Sequence, residues 1–512
     1  HVAPPWPSQV QRVSVASDAA QATAASWNPA ISADGRFVAF TSSAPNLVSN
    51  DTNNRTDVFV YDRQNGTVER VSVASDGTEG NGHSTDVFST VGPGVSADGR
   101  YVAFMSFASN LVAGDTNSAA DVFVHDRQTH TTERVSVASD GAQANGNSLA
   151  LTYADQHPSI SPDGRYVAFS SEAANLVAGD SGFVDVFVHD RQTHTTERVS
   201  VNGLGVQGNS DSYDAQVSAD GRLVAFTSYA NNLVDGDTNF VRDVFVRDRQ
   251  TGQTQRVSVD SSGNQGMGTS VRPSLSPDGG FVAFTSNALN FTQPVAGVYR
   301  AYVYDRTTAV LEMVSPTYDG NAGVGVVEAV DLSDDGRYVA FTADGGNLVP
   351  GDTNGRRDVF WYDRVTRHLR RLAAETLDPN GDAHRLALSA DGLVLAFDSL
   401  ASNLVANDTN AVSDIFVVSA PSGLAGPRVT GLSPAPGSTR ANVAAVVATF
   451  NEDLAPGAVS AATYKLFSGK GANGQWGGGD DVEVAGTVAY DVDTDRATFT
   501  PSAALTLGEY AV

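Results

Sequence analysis

The side chains of this chain that could do chemistry are mostly carboxylates, and they recur. Asp51, Asn53 and Asp57 stand at i, i+2 and i+6. The same spacing returns as Asp115, Asn117 and Asp121, as Asp237, Asn239 and Asp243, as Asp352, Asn354 and Asp358, and as Asp408, Asn410 and Asp414. Oxygen ligands spaced this way in a loop can wrap a hard cation such as Ca2+, which takes about six to eight oxygens. The same residue types also make Asx turns, in which a side chain bonds to backbone two residues on. Recurrence favours the structural reading, because a single active site needs no repeated copies. One related loop keeps Asp180 and Asp185, and another, Phe291-Thr-Gln-Pro294, has lost the pattern.

A second set is less regular. His157 and His384 precede short apolar runs, and Asn28, Asp214, Arg272 and Arg385 lie in the same ring position. If the repeats close into a ring, these residues share the mouth of its central channel. A His, an Asp and two Arg there could bind an anionic sugar or serve as acid and base. An ordinary polar, water-lined channel entrance is the plainer reading. No Gly-x-Ser-x-Gly, His-Glu-x-x-His or phosphate-binding loop occurs. Carboxylates are too abundant for a glycosidase pair to stand out. The Asp-Arg pairs Asp62-Arg63, Asp126-Arg127, Asp190-Arg191, Asp248-Arg249, Asp305-Arg306 and Asp363-Arg364 read as structural, and His125 and His189 fill a slot that Tyr61 holds elsewhere.

The elements that must position these groups follow from the repeat. An Asp-Gly turn falls at Asp34, Asp98, Asp163, Asp220, Asp278, Asp335 and Asp391, at intervals of 64, 65, 57, 58, 57 and 56 residues. Such a period marks a radial or stacked array. Each unit predicts four strands, as in Pro158–Ser161, Arg165–Ser170, Asp185–His189 and Thr196–Val201. Gly after Asp supplies the positive φ of a tight turn between the first two. The second and third strands are nearly continuous in apolar residues, so both faces are covered. Four-stranded sheets packed around an axis, a β-propeller, meet that demand.

The seventh unit lacks a fourth strand, and Val10-Gln-Arg-Val-Ser-Val15 matches Val68-Glu-Arg-Val-Ser-Val73. The N-terminal strand is therefore expected to complete the last blade and remove the exposed edges. The loops after the second and fourth strands are long and share one face. Binding sites are expected there.

Ser161-Pro-Asp-Gly-Arg-Tyr-Val-Ala-Phe169, followed by Asp185-Val-Phe-Val-His-Asp-Arg191, resembles the WD40-like repeats of the TolB propeller type over roughly residues 9–420. The blades are longer than those of that type, through the added Asn-Leu-Val-x-x-Asp-Thr-Asn segment. The resemblance implies the fold and leaves function open, since such propellers serve as scaffolds, binding proteins and enzymes. From residue 427 the pattern changes. Arg428-Val-Thr-Gly-Leu-Ser-Pro-Ala-Pro-Gly437, Val443–Phe450, Arg496–Pro501 and Leu505–Val512 resemble a bacterial Ig-like domain of secreted and surface-layer proteins. The chain stops in what should be a late strand of this domain. Either the sequence is a piece of something longer or a neighbouring subunit adds the last strand.

Composition sets the remaining bounds. The class is all-β, since no long segment carries helical periodicity. There is no cysteine, so disulfides and thiol chemistry are excluded. The net charge of −26 and the confinement of lysine to Lys465 and Lys470 disfavour nucleic acid. No apolar run is long enough for a membrane-spanning helix. His1-Val-Ala-Pro-Pro5 has no leader features, so a signal peptide is either absent or already removed.

The first expectation is a secreted or cell-surface bacterial protein without catalytic activity. Its propeller would be a rigid disc for a protein or polysaccharide, and the Ig-like domain a connector through which the chain could self-assemble. The alternative is a carbohydrate-active lyase or hydrolase using His157, Asp214, Arg272, His384 and Arg385. A third, weaker reading, implied by the TolB resemblance, is a periplasmic partner of an envelope complex. No cofactor is expected beyond the Ca2+ considered above.

Overall fold

The computed structural model describes residues 10–85, 91–149, 157–291, 297–318, 325–372 and 378–420, together with the strands of a C-terminal unit. The chain divides into two compact units, His1–Ser419 and Ala420–Val512. The first holds seven four-stranded antiparallel sheets, each a blade of a propeller, and no helix is found among the described residues. In the third blade Ser159–Ile160 is innermost, followed by Tyr166–Ser171, Asp185–Asp190 and Thr195–Arg198.

The apolar runs explain the stacking. In the second and third strands nearly every residue is buried, because adjacent blades cover both faces. Directly opposed phenylalanines repeat from blade to blade, with Phe40–Phe59, Phe104–Phe123 and Phe169–Phe187 stacked at 6.0, 5.9 and 6.1 Å between centroids. The outer strand is shorter than its sequence suggests. It ends at Arg198 because Ser200 turns its hydroxyl inward onto the Asp185 carboxylate, 2.6 Å away. Val201 then leaves the blade to bridge Gln207.

The Asp-Gly turns do more than reverse the chain. Ser161 Oγ and the Arg165 amide both donate to Asp163, and the Gly164 amide donates to the Ser161 carbonyl at 2.8 Å. Gly164 has φ +74°, and a Cβ there would lie 2.1 Å from Cδ2 of Tyr101 in the preceding blade. This glycine is thus needed both for its conformation and for close blade approach.

The turns also link to one another. Ala33 N donates to Ala97 O, Ala97 N to Pro162 O, Ala219 N to Pro277 O, Asp334 N to Ala390 O and Ala390 N to Ala33 O. The series breaks after Pro162 and Pro277, which have no N–H to pass on.

The ring closes as the matching N-terminal strand implies. Gln11–Arg12 pairs antiparallel with Asp414–Ser419, with Gln11 opposite Val417 and Arg12 opposite Phe416. Val13 N donates to Ile415 O at 2.8 Å, and Ser14 Oγ donates to Asp414 at 2.5 Å.

In the C-terminal unit, Val429–Ser433, Val446–Phe450, Arg496–Pro501 and Gly486–Asp491 form one sheet in that order. Glu483–Val484, Leu466–Ser468 and Tyr510–Ala511 form another. Of the strands expected at 443–450 and 505–512, residues 443–445, 505–509 and 512 lie outside the described residues.

Candidate functional site

Each Asp-Thr-Asn loop closes around an arginine from the outer strand of its own blade. Arg70 Nη1 lies 3.2 Å from Asp51, 3.5 Å from Asp57 and 3.0 Å from Glu79. Arg134 stands 3.3 Å from both Asp115 and Asp121. Arg256 reaches Asp237 and Asp243 at 3.3 and 3.8 Å, and Arg371 reaches Asp352 and Asp358 at 3.0 and 3.2 Å. Arg12, from the closing strand, meets Asp408 and Asp414 at 3.4 and 3.9 Å. Even the altered loop keeps the pattern, with Arg198 at 3.5 Å from Asp180 and Asp185.

The asparagines point the wrong end inward for a metal. Asn53 turns its amide N–H onto Asp57 at 2.9 Å and onto the Gly80 carbonyl at 3.1 Å, while its oxygen accepts from the Arg55 amide. Asn117, Asn239, Asn354 and Asn410 repeat this. These loops as folded do not fit Ca2+, because a guanidinium fills the cationic position and an amide donor replaces one oxygen ligand. Burial still dominates the inner carboxylates. It pushes Asp57, Asp185, Asp243 and Asp358 up to about 6, against the pull of their serine, asparagine and arginine neighbours.

The Asp-Arg pairs are structural as well. Asp126 accepts two bonds from Arg100 of the Asp-Gly-Arg turn, and it caps the next turn through the Gln128 amide. Arg127 reaches back to Glu69 of the preceding blade and lies 4.4 Å over the Phe37 ring there. The same clasp joins Arg191 to Glu133 and Arg249 to Glu197. His125 and His189 are packing residues. Each is buried and hydrogen-bonded to a threonine hydroxyl, and burial lowers both to about 4.

The channel mouth does gather the second set. A cavity of about 260 Å³ is lined by Asn28, His157, Asp214, Arg272 and Arg385 together. Bulges in the innermost strands aim four of these residues inward, His157 excepted. Pairing slips between Trp27 and Ala30, between Tyr213 and Gln216, between Val271 and Ser274, and between Ala383 and Leu386. Asn28, Asp214 and Arg272 sit in the left-handed region at φ 54°, 58° and 57°. That conformation is uncommon for arginine, and strain of this sort collects at binding and catalytic sites.

Asp214 accepts from Thr227 Oγ1 at 3.1 Å, and the Arg272 backbone faces the same carboxylate. Burial raises it to about 6, and Arg272 opposes the rise. His157 Nε2 lies 3.2 Å from the Gln216 amide; its ring is exposed to the channel, and desolvation by the channel wall lowers its pKa. Arg272 donates to the Glu328 carbonyl at 2.6 Å. Burial lowers Arg385 to about 10.

His384 is the member that does not line the cavity. Its Nδ1 lies 2.9 Å from Arg357 Nη1. Charged residues that the spacing does not mark surround Arg385. Glu328 pairs with Arg357 and stands 3.7 Å from Arg385, and Asp398 accepts from the Arg385 amide at 2.9 Å. Deeper in, Asp331 accepts from Ser274 and from the Leu388 amide, tying blades five, six and seven. Spacing did not mark Glu328, since Ala329 holds the place of Asp214 in the sixth repeat and Glu328 stands where the fourth has Tyr213.

Residues 425–510 match the family model of the bacterial Ig-like domain. The C-terminal unit is a bacterial Ig-like domain. No curated protein matches the sequence. Among solved structures, TolB from Acinetobacter baumannii aligns at 17% identity and TM-score 0.38, over 67% of this chain and 64% of TolB. This chain therefore spans slightly less than two-thirds of TolB. An oligogalacturonate lyase in complex with manganese aligns at 11% identity and TM-score 0.49, over 81% of this chain and 94% of the lyase. The β-propeller domain of the Trilobed protease from Pyrococcus furiosus aligns at 12% identity and TM-score 0.49, over 77% and 93%. Likenesses at these identities concern the fold alone.

Proposed function

We propose that this chain is a secreted or cell-surface bacterial binding protein that does not turn over its ligand. The propeller is a rigid disc that presents the long loops, and the Ig-like domain is a connector. One observation carries this reading: the recurring polar motifs are used inside the fold. The Asp-Thr-Asn loops close on arginines, the Asp-Arg pairs clasp neighbouring blades, and the N-terminal strand locks the ring. What the repeats build in common is stiffness, and a stiff ring holds its loops in fixed register at little entropic cost on binding. The test is to measure binding and product release together on one panel of surface polysaccharides and peptides. Saturable binding without product supports the reading, and product from any bound polymer overturns it.

A second reading has a specific observation in its favour. Asp214 is a strained carboxyl with a raised pKa, in the cavity that His157 and Arg272 also line. Such a group suits general acid or base work near neutral pH, with acidic or neutral carbohydrate as substrate. Asp214→Asn separates the readings, since it would abolish turnover in an enzyme and leave disc binding outside the channel intact.

A further inference from the structure

The repeats act as their own control. Where a blade abandons a residue that most others use to hold a loop, and exposes an apolar side chain instead, folding does not explain the change. The junction of blades four and five does this at adjoining positions.

At four junctions an asparagine clasps the next blade, while Thr23 stands in that place between blades seven and one and Val324 between five and six. Asn81 Oδ1 accepts from the Ser109 amide, Asn145 from Ala174, Asn209 from Asn231 and Asn380 from Ser402, at 2.8–3.0 Å. Between blades four and five the two partners are Met267 and Leu289, which are 66% and 49% exposed. Here the Leu289 amide donates to the Met267 carbonyl at 3.5 Å, and the side-chain clasp is gone.

Next to it stands Phe240. Its position is left-handed, with φ 55°, and the matching residues are Asn54, Ser118, Gly355 and Ala411. Those types tolerate or suit that conformation, whereas an aromatic ring there is strained and 77% exposed. Phe240 and Met267 flank a single bonded pair, Asn239 Nδ2 to Gly266 O at 2.9 Å. The three residues therefore stand at neighbouring positions of the chain on the long-loop face.

We propose that Phe240, Met267 and Leu289 form a docking patch for a protein partner whose contact segment carries apolar side chains among lysines or arginines. The proposal rests on the reading of the propeller as a binding disc and names where the disc binds. Methionine and phenylalanine are enriched at protein interfaces, and methionine adapts its shape to a partner. A carbohydrate seat would keep the asparagine that four junctions retain, and here that group is lost. Charge selects the partner further. The chain carries −26 overall, its propeller repeats contain no lysine, and Asp235 is exposed in the same loop as Phe240. A second copy of this chain is repelled by that charge and a basic segment is attracted.

The test uses the whole chain and the variant F240N/M267N/L289S, which restores the residues of other blades. This variant is expected to fold with an unfolding midpoint at or above that of the parent. A displayed library of random peptides is selected on the parent, and enriched peptides are titrated against both proteins by fluorescence anisotropy. The expected peptides combine aromatic or aliphatic residues with Lys or Arg, and lose at least about 30-fold in affinity on the variant, the loss that one interface hot spot confers. Peptides that bind parent and variant alike overturn the patch while leaving the disc reading in place. No enrichment on either protein removes the patch together with the protein-binding form of that reading. Acidic peptides, or neutral glycans that compete for the patch, overturn the partner class. A concentration-dependent dimer of the parent that the variant abolishes, seen by sedimentation velocity, overturns it in favour of a second copy.

Discussion

Arg70→Met is the sharpest test of how the acidic loops work. It removes the charge that stands within 3.5 Å of Asp51, Asp57 and Glu79 while keeping an apolar stem of similar length. The Arg70 side chain is 3% exposed and that of Asp57 is fully buried. Breaking such a pair from one side costs about 3–5 kcal/mol, because the other charge is left buried. The pH dependence identifies the cause. Asp57 is raised from 3.8 to about 6 even with Arg70 beside it. That difference amounts to about 3 kcal/mol of resistance to ionisation in the folded state.

The folded protein therefore holds the Asp57 proton more tightly than the unfolded chain does. This contribution to stability is complete below about pH 4 and is lost as pH rises through about 6. Without Arg70 the carboxyl rises further. The defect should then be large at pH 7.5, small at pH 5, and partly cured by adding Asp57→Asn. Urea unfolding followed by tryptophan fluorescence at the two pH values reads this directly. A variant that matches the parent at pH 7.5, or whose defect is the same at both values, refutes the reasoning. So does a parent whose midpoint rises with millimolar Ca2+, since the loops as folded leave no cation seat.

Other expectations follow from single contacts. Gly77→Ala meets no atom within 4 Å and pays only for its φ of +84°, about 1–2 kcal/mol. Gly164→Ala meets the Tyr101 ring at 2.1 Å as well, and should lose about 1–3 kcal/mol more by the same urea assay. His125 is lowered from 6.5 to about 4 by burial, so its contribution is present above pH 6.5 and is lost as pH falls through 4. His125→Tyr, which copies Tyr61 of the first blade, should flatten that limb of the stability–pH curve. Removing residues 10–16 deletes the Val13–Ile415 and Ser14–Asp414 bonds and opens the ring. Unfolding should become less cooperative, and limited proteolysis should cut first in blade seven.

The fold was legible because it is written seven times. The Asp-Gly turns, the two-face apolar strands and the orphan strand at the N-terminus each state one part of a closed ring. The acidic loops were only half legible. Asp51, Asn53 and Asp57 were visible as a constellation, but their partner lies in another strand, and spacing within a loop does not show it. A signal was present nonetheless. Blade five has lost the loop at Phe291-Thr-Gln-Pro294 and carries Met313 where the other blades have Arg70 or Arg134. Acid and base disappear together because a buried guanidinium without carboxylates is as costly as the reverse.

The channel mouth was assembled correctly for His157, Asp214, Arg272 and Arg385 because they occupy matching positions. His384 was misplaced by one residue. The bulge between Ala383 and Leu386 turns Arg385 into the cavity and sends His384 toward Arg357. A bulge moves a side chain without leaving a mark in periodicity. The Met267–Leu289 exchange is hidden in the sequence for another reason. It becomes meaningful only once Asn81 and Ser109 are seen to bond across a junction.

The most direct test of the functional account is turnover. The whole chain would be incubated with neutral and acidic polysaccharides, with and without Ca2+, and followed for new reducing ends and for unsaturated products, with Asp214→Asn in parallel. The account predicts that parent and variant both release nothing from polymers to which the parent binds. Product released by the parent and lost in Asp214→Asn would contradict it, and would place an active site at the channel mouth.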